Sequence, residues 1–378
     1  MFQAKRTGIS KLLILFTLIF TLLPVYPAHA ESLPLAAECA VLMEATTGRV
    51  LYSHNCHARR YPASTTKILT ALVVLENCRL DDVVTVPKEA VGVEGSSIYL
   101  SLGERLTVEE LLYGLMLRSG NDAATALAIH TAGNIDAFAV LMNKKAEELG
   151  CMDSSFVNPS GLPSTQHYTT AYDLGLIACA AMANSTFATI VSTTKKVIPW
   201  EGREYDRVLI NENKMLYNYG GANGIKTGYT KAAGRCLVSS ATKNGMTLVA
   251  VVLNSQPMYA DCSAMLDHGF EKYRMTPLFD KKEYEGTLPV KDGFVPSVDY
   301  VINDEICYPL SDDDEISLTA TVYDPHPRAP IEQGTPLGEL TISLNRDILY
   351  TLPMVAADSI GQNTFAARLK VLFRLFFS

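Results

Sequence analysis

Two apolar-rich segments near the start of the chain, "ECAVLMEA" and "RVLYSHN", flank the turn-prone "TTGR". Aliphatic runs around a glycine-containing turn predict a β-hairpin. Further on, "ILTALVVL" holds seven apolar residues and one threonine. A helix that is apolar nearly all round is buried on every side. A second helix is predicted from Thr107, where Glu110 three residues on completes a capping-box pattern ahead of "VEELLYGLML". A third runs from about Asn134 to Gly150, with a favoured cap residue at each end. From about Asn223 the strand pattern returns in "GIKTGYT" and "RCLVSSAT", and "KNG" then turns the chain into "MTLVAVVLN". Strands early, helices in the middle and strands late predict one sheet built from both ends of a domain, with helices packed on it. Beyond about Pro277, short segments such as "SLTATVYD" and "LGELTISLN" alternate with "SDDDE", "DPHPRAP" and "EQGTP". That texture predicts a smaller all-β domain, in which the acidic run reads as a solvated turn rather than a cation site.

The two ends follow different rules. Lys5, Arg6 and Lys11 precede "LLILFTLIFTLLPVY", and "PAHA" then offers small residues at Ala28 and Ala30. This is the pattern of a secretory signal peptide cleaved after Ala30, and it is favoured over an uncleaved anchor. The uninterrupted apolar run, Leu12 to Leu23, is short for a membrane-spanning helix. At the other end, Phe365, Leu369, Leu372 and Phe376 recur at helical spacing, with Lys370 and Arg374 on the opposite side. A basic amphipathic helix of this kind suits an anionic membrane interface, an assignment favoured over docking on the protein's own surface. The expected organisation is a signal peptide over 1–30, a catalytic domain over 31–276, a β-domain over 277–357 and an anchoring helix over 358–378.

Composition narrows the function. Removing residues 1–30 takes the net charge from −8 to −11. An acidic chain argues against a nucleic-acid partner, which needs a basic patch. The 48% hydrophobic content supports a substantial core. The eight cysteines are irregularly spaced with no CxxC, so most read as buried small hydrophobes, although an exported chain also permits disulfides. "HNCH" (His54, Cys56, His57) resembles a metal cluster, but no second ligand set accompanies it, and a loop is the better reading. No cofactor is expected.

The tetrapeptide "STTK" occurs twice, as Ser64–Lys67 and Ser192–Lys195. In the first copy the serine and lysine fall one turn apart at the start of the buried helix. Burial lowers a lysine pKa, and a neutral amine beside a hydroxyl is a general base beside a nucleophile. The second copy, in "VSTTKKVIPW", is rich in β-branched residues and stopped by Pro199, which predicts a strand or loop. In a strand, residues three apart face opposite ways and cannot cooperate. Ser240 and Lys243, a third SxxK, sit at a strand end near a turn and fail likewise.

Two further motifs join the first copy: Ser119-Gly120-Asn121 between helical segments, and Lys226-Thr227-Gly228, the only KTG in the chain. SxxK, an SxN element and KTG in that order are the signature of penicillin-binding proteins and serine β-lactamases. The surrounding "YPASTTKILTAL", "LLYGLMLRSGNDAATALA", "NPSGLP", "HYTTAYDLGLIA" and "ANGIKTGYTKAAGRCLVSSA" resemble the low-molecular-weight D-alanyl-D-alanine carboxypeptidases, the S11 serine peptidases. The resemblance runs from about Glu38 to the C-terminus. It implies an α+β fold: a penicillin-binding domain with an antiparallel sheet and helices on its faces, then a small all-β domain and a terminal anchor. The implied substrate is a peptidoglycan stem peptide ending in D-Ala-D-Ala, with β-lactams as inhibitors. The implied location is the outer face of the cytoplasmic membrane.

The same resemblance assigns roles. Ser64 is the acylated nucleophile, Lys67 its base, and Ser119 the proton relay to the leaving nitrogen. Asn121 binds the substrate amide. Lys226 supplies positive potential for the terminal carboxylate, which Thr227 and Thr230 contact. Gly228 belongs to the same substrate-binding strand, and the backbone N–H groups of Ser64 and Tyr229 form the oxyanion hole. Many relatives carry His where this chain has Tyr229, which leaves the role of that side chain open. Two rivals share the fold. A class A β-lactamase relies on a glutamate for deacylation, and "SSFVNPSGLPSTQHYTT" contains none. A non-catalytic wall-binding protein has no need of all three motifs.

Overall fold

The structure, a computed structural model, describes residues 33–369. Its first strands, β1 (Cys39–Glu44) and β2 (Val50–His54), form the expected hairpin. A 3₁₀ turn over Ala63–Thr66 leads into α1 (Lys67–Asn77). Next come the short strands β3 (Val83–Thr85) and β4 (Arg105–Thr107), then α2 (Val108–Leu117), α3 (Asn121–Ala132) and α4 (Ile135–Glu148). Helices α5 (Ala171–Ala183) and α6 (Ser185–Ser192) follow, and then the ribbon of β5 (Lys195–Ile198) and β6 (Arg207–Ile210). After the single turn α7 (Met215–Asn218) the chain enters β7 (Ala222–Thr230), β8 (Gly234–Lys243) and β9 (Met246–Leu253), and then α8 (Met258–Lys272).

The five-stranded antiparallel sheet has the order β2-β1-β9-β8-β7, so the first hairpin and the late strands do assemble one sheet. Strand β9 is buried along nearly its whole length, as a central strand covered on both faces must be. Helix α5 brings Gly175 against Val41 and Met43, whereas α8 brings Gly269 against Leu42 and Leu248. Neighbouring residues of one strand point to opposite faces, so the two helices cover the two sides of the sheet. Strand β7 lies at the edge, and that edge is where the site is built.

Local signals explain several boundaries. Thr107 accepts from the Glu110 N–H while the Glu110 carboxylate accepts from the Thr107 N–H, a complete capping box for α2. Such a cap contributes about 1 kcal/mol. Asn134 caps α4 through Ala137 N–H at 2.8 Å, and Gly150 (φ +79°) lets the chain turn away after it. Asn244 and Gly245, both at positive φ, form the turn between β8 and β9.

The remaining strands are β10 (Arg274–Pro277), β11 (Gly286–Pro289), β12 (Ser297–Val301), β13 (Cys307–Leu310), β14 (Ile316–Val322), β15 (Pro336–Leu344) and β16 (Asp347–Ala356). Five of them form a second sheet in the order β11-β12-β16-β15-β14, and β10 pairs with β13. The acidic run before β14 corrects one expectation. Asp314 is not a solvated turn residue: its carboxylate takes a two-pronged ion pair from Arg49, at 2.7 and 2.9 Å. The Arg49 guanidinium lies over the rings of both Tyr273 and Tyr308, 5.3 and 5.4 Å from their centroids. Burial alone would raise the Asp314 carboxyl, but hydrogen bonds from Arg49 and Ser311 hold it at about 2. The pair is largely shielded from solvent, and through it Arg49 fastens the second sheet to the first hairpin.

The second STTK also differs from expectation. Ser192 is the last residue of α6, with its hydroxyl donating to Thr189 O at 3.1 Å, and Lys195 begins β5. The apolar periodicity of "STFATIV" on the preceding residues outweighs the β-branched content of the tetrapeptide. All eight cysteines are free, five of them buried and Cys307 exposed. Residues 1–30 and most of the basic terminal segment, including Lys370, Leu372, Arg374 and Phe376, lie outside the described residues.

Candidate active site

The first STTK occupies a 3₁₀ turn rather than an α-helical one, with Lys67 opening α1. The turn is held by its surroundings. Thr65 Oγ1 donates to Pro62 O at 2.6 Å, and Gly161 (φ +83°) lies so close that a Cβ there would fall 1.8 Å from Ala63 O. Only glycine fits that approach. Ser64 is half-buried, whereas Lys67 is fully buried. The Lys67 amine is 3.0 Å from Ser64 Oγ, 2.7 Å from Asn121 Oδ1 and 2.8 Å from the Ser160 carbonyl oxygen.

This geometry fixes the role of each amine position. Asn121 Nδ2 donates to Glu94 O, so Oδ1 is the atom that faces Lys67. Asn121 Oδ1 and Ser160 O are acceptors with no proton to give, so each takes one N–H of Lys67. In a neutral amine the third position is then a lone pair, and it points at the Ser64 hydroxyl. Burial, and secondly the nearby Lys226 charge, push the Lys67 amine well below the ordinary lysine range; Asp122 and Glu212 offset this only in part.

The other walls come from distant parts of the chain. Ser119 sits between α2 and α3 with φ +58°, a conformation a non-glycine residue adopts at a cost and one that recurs at functional sites. Asn121 opens α3, and Asp122 beside it is buried. The Asp122 carboxylate accepts from Ser97 Oγ (2.6 Å) and from the backbone N–H groups of Ile98 and Leu100, which fastens the 96–100 loop to the helix start. From the opposite side β7 runs past the Ser64 turn. A Cβ on Gly228 would lie 3.1 Å from Ser64 N, so KTG glycine permits the close approach. Lys226, on the same strand, is buried, and burial lowers its amine to about 8 against the opposing pull of Glu212.

Ser64, Ser119, Thr227, Gly228, Tyr229 and Arg235 line one cleft of about 410 Å³. Lys67, Asn121 and Lys226 lie buried beneath it. Thr230 is placed differently: its hydroxyl accepts from the Ala233 N–H at 3.0 Å and closes the β7–β8 turn. Tyr229 is exposed and lines the cleft.

Among the groups at the site that the sequence motifs do not mark, four bear on its geometry. The Ser160 carbonyl is a backbone group, visible only as part of "NPSGLP". Asp122 follows SGN directly, and an acid in the first turn of a helix was a usable signal. Arg235 stands opposite Tyr229 in the β7–β8 register, so the hairpin pattern could have found it. His167, in "HYTT", is buried behind the Ser64 turn, with Nε2 2.9 Å from Thr66 Oγ1.

Comparison with known proteins agrees with this architecture. Residues 27–257 match the family described as D-alanyl-D-alanine carboxypeptidase, peptidase S11, and residues 273–362 match the C-terminal domain of penicillin-binding protein 5. The chain is 33% identical over 345 residues to D-alanyl-D-alanine carboxypeptidase DacF of Bacillus subtilis, covering 88% of each protein. It is 39% identical over 265 residues to a D-alanyl-D-alanine carboxypeptidase of Streptomyces sp., covering 65% of this chain and 91% of the relative. Among solved structures, penicillin-binding protein 5 from Haemophilus influenzae superposes with a TM-score of 0.73 at 26% identity, over 88% of this chain and 99% of that one. A fold shared at both domains, a family match over most of the chain and the motifs gathered at one cleft lead to one conclusion: this chain belongs to the S11 family of D-alanyl-D-alanine carboxypeptidases.

Proposed function

We propose that this serine D,D-carboxypeptidase removes the terminal D-alanine from peptidoglycan stem peptides through an acyl-enzyme on Ser64. The observation that carries the reading is the Lys67 amine, buried and held between two pure acceptors with its remaining position 3.0 Å from Ser64 Oγ. Neutral Lys67 takes the Ser64 proton as Oγ attacks the carbonyl carbon of the penultimate D-alanine. The backbone N–H groups of Ser64 and Tyr229 face the developing oxyanion. The intermediate collapses as the proton passes by way of Ser119 to the departing D-alanine nitrogen. Water then hydrolyses the ester and restores Ser64. Asn121 holds the substrate amide, while Thr227, with Thr230 at the end of its strand, serves the terminal carboxylate.

Two cations serve that carboxylate. Lys226 supplies charge from below while it remains protonated. Arg235 projects from the strand next to β7, on the same face as Tyr229, and a guanidinium stays charged at every working pH.

A β-lactam acylates the same serine, and its opened ring keeps the leaving nitrogen tethered. The segment that presents Ser160 O to Lys67 carries no glutamate between Ser154 and Thr170 to activate a deacylating water. Fluorescent penicillin therefore labels the wild type persistently, and Ser64→Ala abolishes the label. Rapid turnover of the drug would point to a β-lactamase, and absence of label to a binding protein.

Export and anchoring complete the reading. Among the described residues no helix is long and apolar enough to cross a membrane. The basic N-terminal leader supports secretion, and the amphipathic terminal segment supports peripheral attachment to the outer face of the cytoplasmic membrane. Phe365 and Leu369, its first apolar positions, are exposed.

A further inference from the structure

His167 lies on neither wall of the cleft, yet its ring bridges the two pieces of chain that aim Lys67. The residue is 1% exposed. Nδ1 accepts from the Val157 N–H at 3.2 Å, so in the neutral ring the proton is on Nε2, and Nε2 donates to Thr66 Oγ1 at 2.9 Å. Burial, then the charge of Lys67, push the imidazole down to about 4, which keeps the ring neutral with this tautomer. Phe156 fixes its plane by edge-on packing at 5.5 Å between centroids.

Each end of the bridge carries a group that touches the catalytic amine. Thr66 is the residue before Lys67 in the nucleophile turn. Val157 begins the segment in which Asn158 Oδ1 accepts from the N–H groups of Ser160 and Gly161, at 3.2 and 2.8 Å, and so folds it into a tight turn. That turn presents Ser160 O to Lys67 at 2.8 Å and Pro159 O to Thr70 Oγ1 at 2.7 Å. If Ser160 O moves, the amine loses the acceptor for one N–H, and its lone pair is free to rotate away from Ser64. Catalysis depends steeply on such placement, and a misplacement of about 1 Å can cost about 100-fold.

We propose that His167 is a positioning residue for the general base: it fixes the distance between the nucleophile turn and the Ser160 carbonyl, and so the direction of the Lys67 lone pair. This rests on the assignment of Lys67 as the base of Ser64. None of the groups His167 touches lines the cleft, so its effect falls on the chemical step and spares non-covalent binding.

The test measures penicillin acylation, separating the non-covalent dissociation constant from the acylation rate constant and normalising to titrated active sites so that unfolded protein drops out. His167→Phe keeps the ring volume and loses both hydrogen bonds; the rate constant falls about 10- to 100-fold while the dissociation constant stays within about twofold. His167→Gln restores an N–H near Thr66, and His167→Asn restores an acceptor near Val157, so each recovers part of the loss. Thr66→Val removes the partner hydroxyl from the other side, and its loss is not additive with that of His167→Phe. An unchanged rate constant per site in His167→Phe and Thr66→Val overturns the proposal. So does a dissociation constant that weakens in step with the rate. Wild-type protein that takes no label at all instead overturns the Ser64–Lys67 reading itself.

Discussion

Lys67 and Lys226 are buried amines, both lowered by burial and Lys67 further by the Lys226 charge, and in the proposed mechanism they set the pH range in which the site works. Acylation needs Lys67 neutral, so the rate climbs as that amine loses its proton, well below the ordinary lysine range. Lys226 acts in the opposite sense: it attracts the substrate carboxylate only while protonated, and it titrates at about 8. The kcat/KM for D-alanine release therefore follows a bell whose alkaline limb begins near pH 8. A profile still rising at pH 10 contradicts this assignment. Arg235 keeps the decline from being complete, because its charge persists. Losing a charged hydrogen-bonding partner is worth a factor of about 10 to 100, so Arg235→Ala raises KM by that factor for a peptide with a free C-terminal carboxylate. It leaves the weak reaction of the C-terminal amide unchanged, and equal effects on the two peptides count against the carboxylate contact. The gathering of Ser64, Lys67 and Lys226 at one site was legible because residue type and neighbourhood together mark the three motifs. The Ser160 carbonyl was not, because every residue has one and only the fold decides which is aimed at the amine.

At the level of elements, legibility followed how local the cause was. The Thr107–Glu110 cap and the Asn244–Gly245 turn depend on residues next to one another, and they formed where the pattern placed them. The local pattern predicts an α-helical turn at Ser64, and the turn is 3₁₀ because long-range contacts tighten it: Gly161 presses on Ala63 O and β7 passes at Gly228. The second STTK predicts a strand or loop; Ser192 instead ends a helix, while Lys195 does begin a strand. Propensity over four residues is a weak guide when the preceding "STFATIV" has a helical stripe buried at Phe187, Ile190 and Val191. Its separation from catalysis rests on location. Ser192 bonds its own helix, whereas Ser64 faces the Lys67 amine and lines the cleft.

For the whole molecule, the early hairpin and late strands had to share one sheet, since neither could bury its apolar face alone. The attachment of the C-terminal sheet was not legible. Asp314 looks like its acidic neighbours in sequence, and only tertiary contact makes it the partner of Arg49 and leaves Asp313 exposed beside Lys272. The terminal segment continues beyond this sheet with a basic, aromatic composition that suits anionic lipid. Deleting residues from Asn363 onward releases an enzyme of unchanged kcat/KM from membrane fractions. Retention of the truncated protein on membranes rules out that segment as the anchor.

The central claim is that Ser64, activated by Lys67, cleaves a D-alanyl-D-alanine terminus, and the most direct measurement is the release of free D-alanine from a peptide ending in D-Ala-D-Ala. The wild type releases one D-alanine per peptide, Ser64→Ala releases none above background, and Ser192→Ala matches the wild type. Release by Ser64→Ala at the wild-type rate, or no release by correctly folded wild type, would contradict the account.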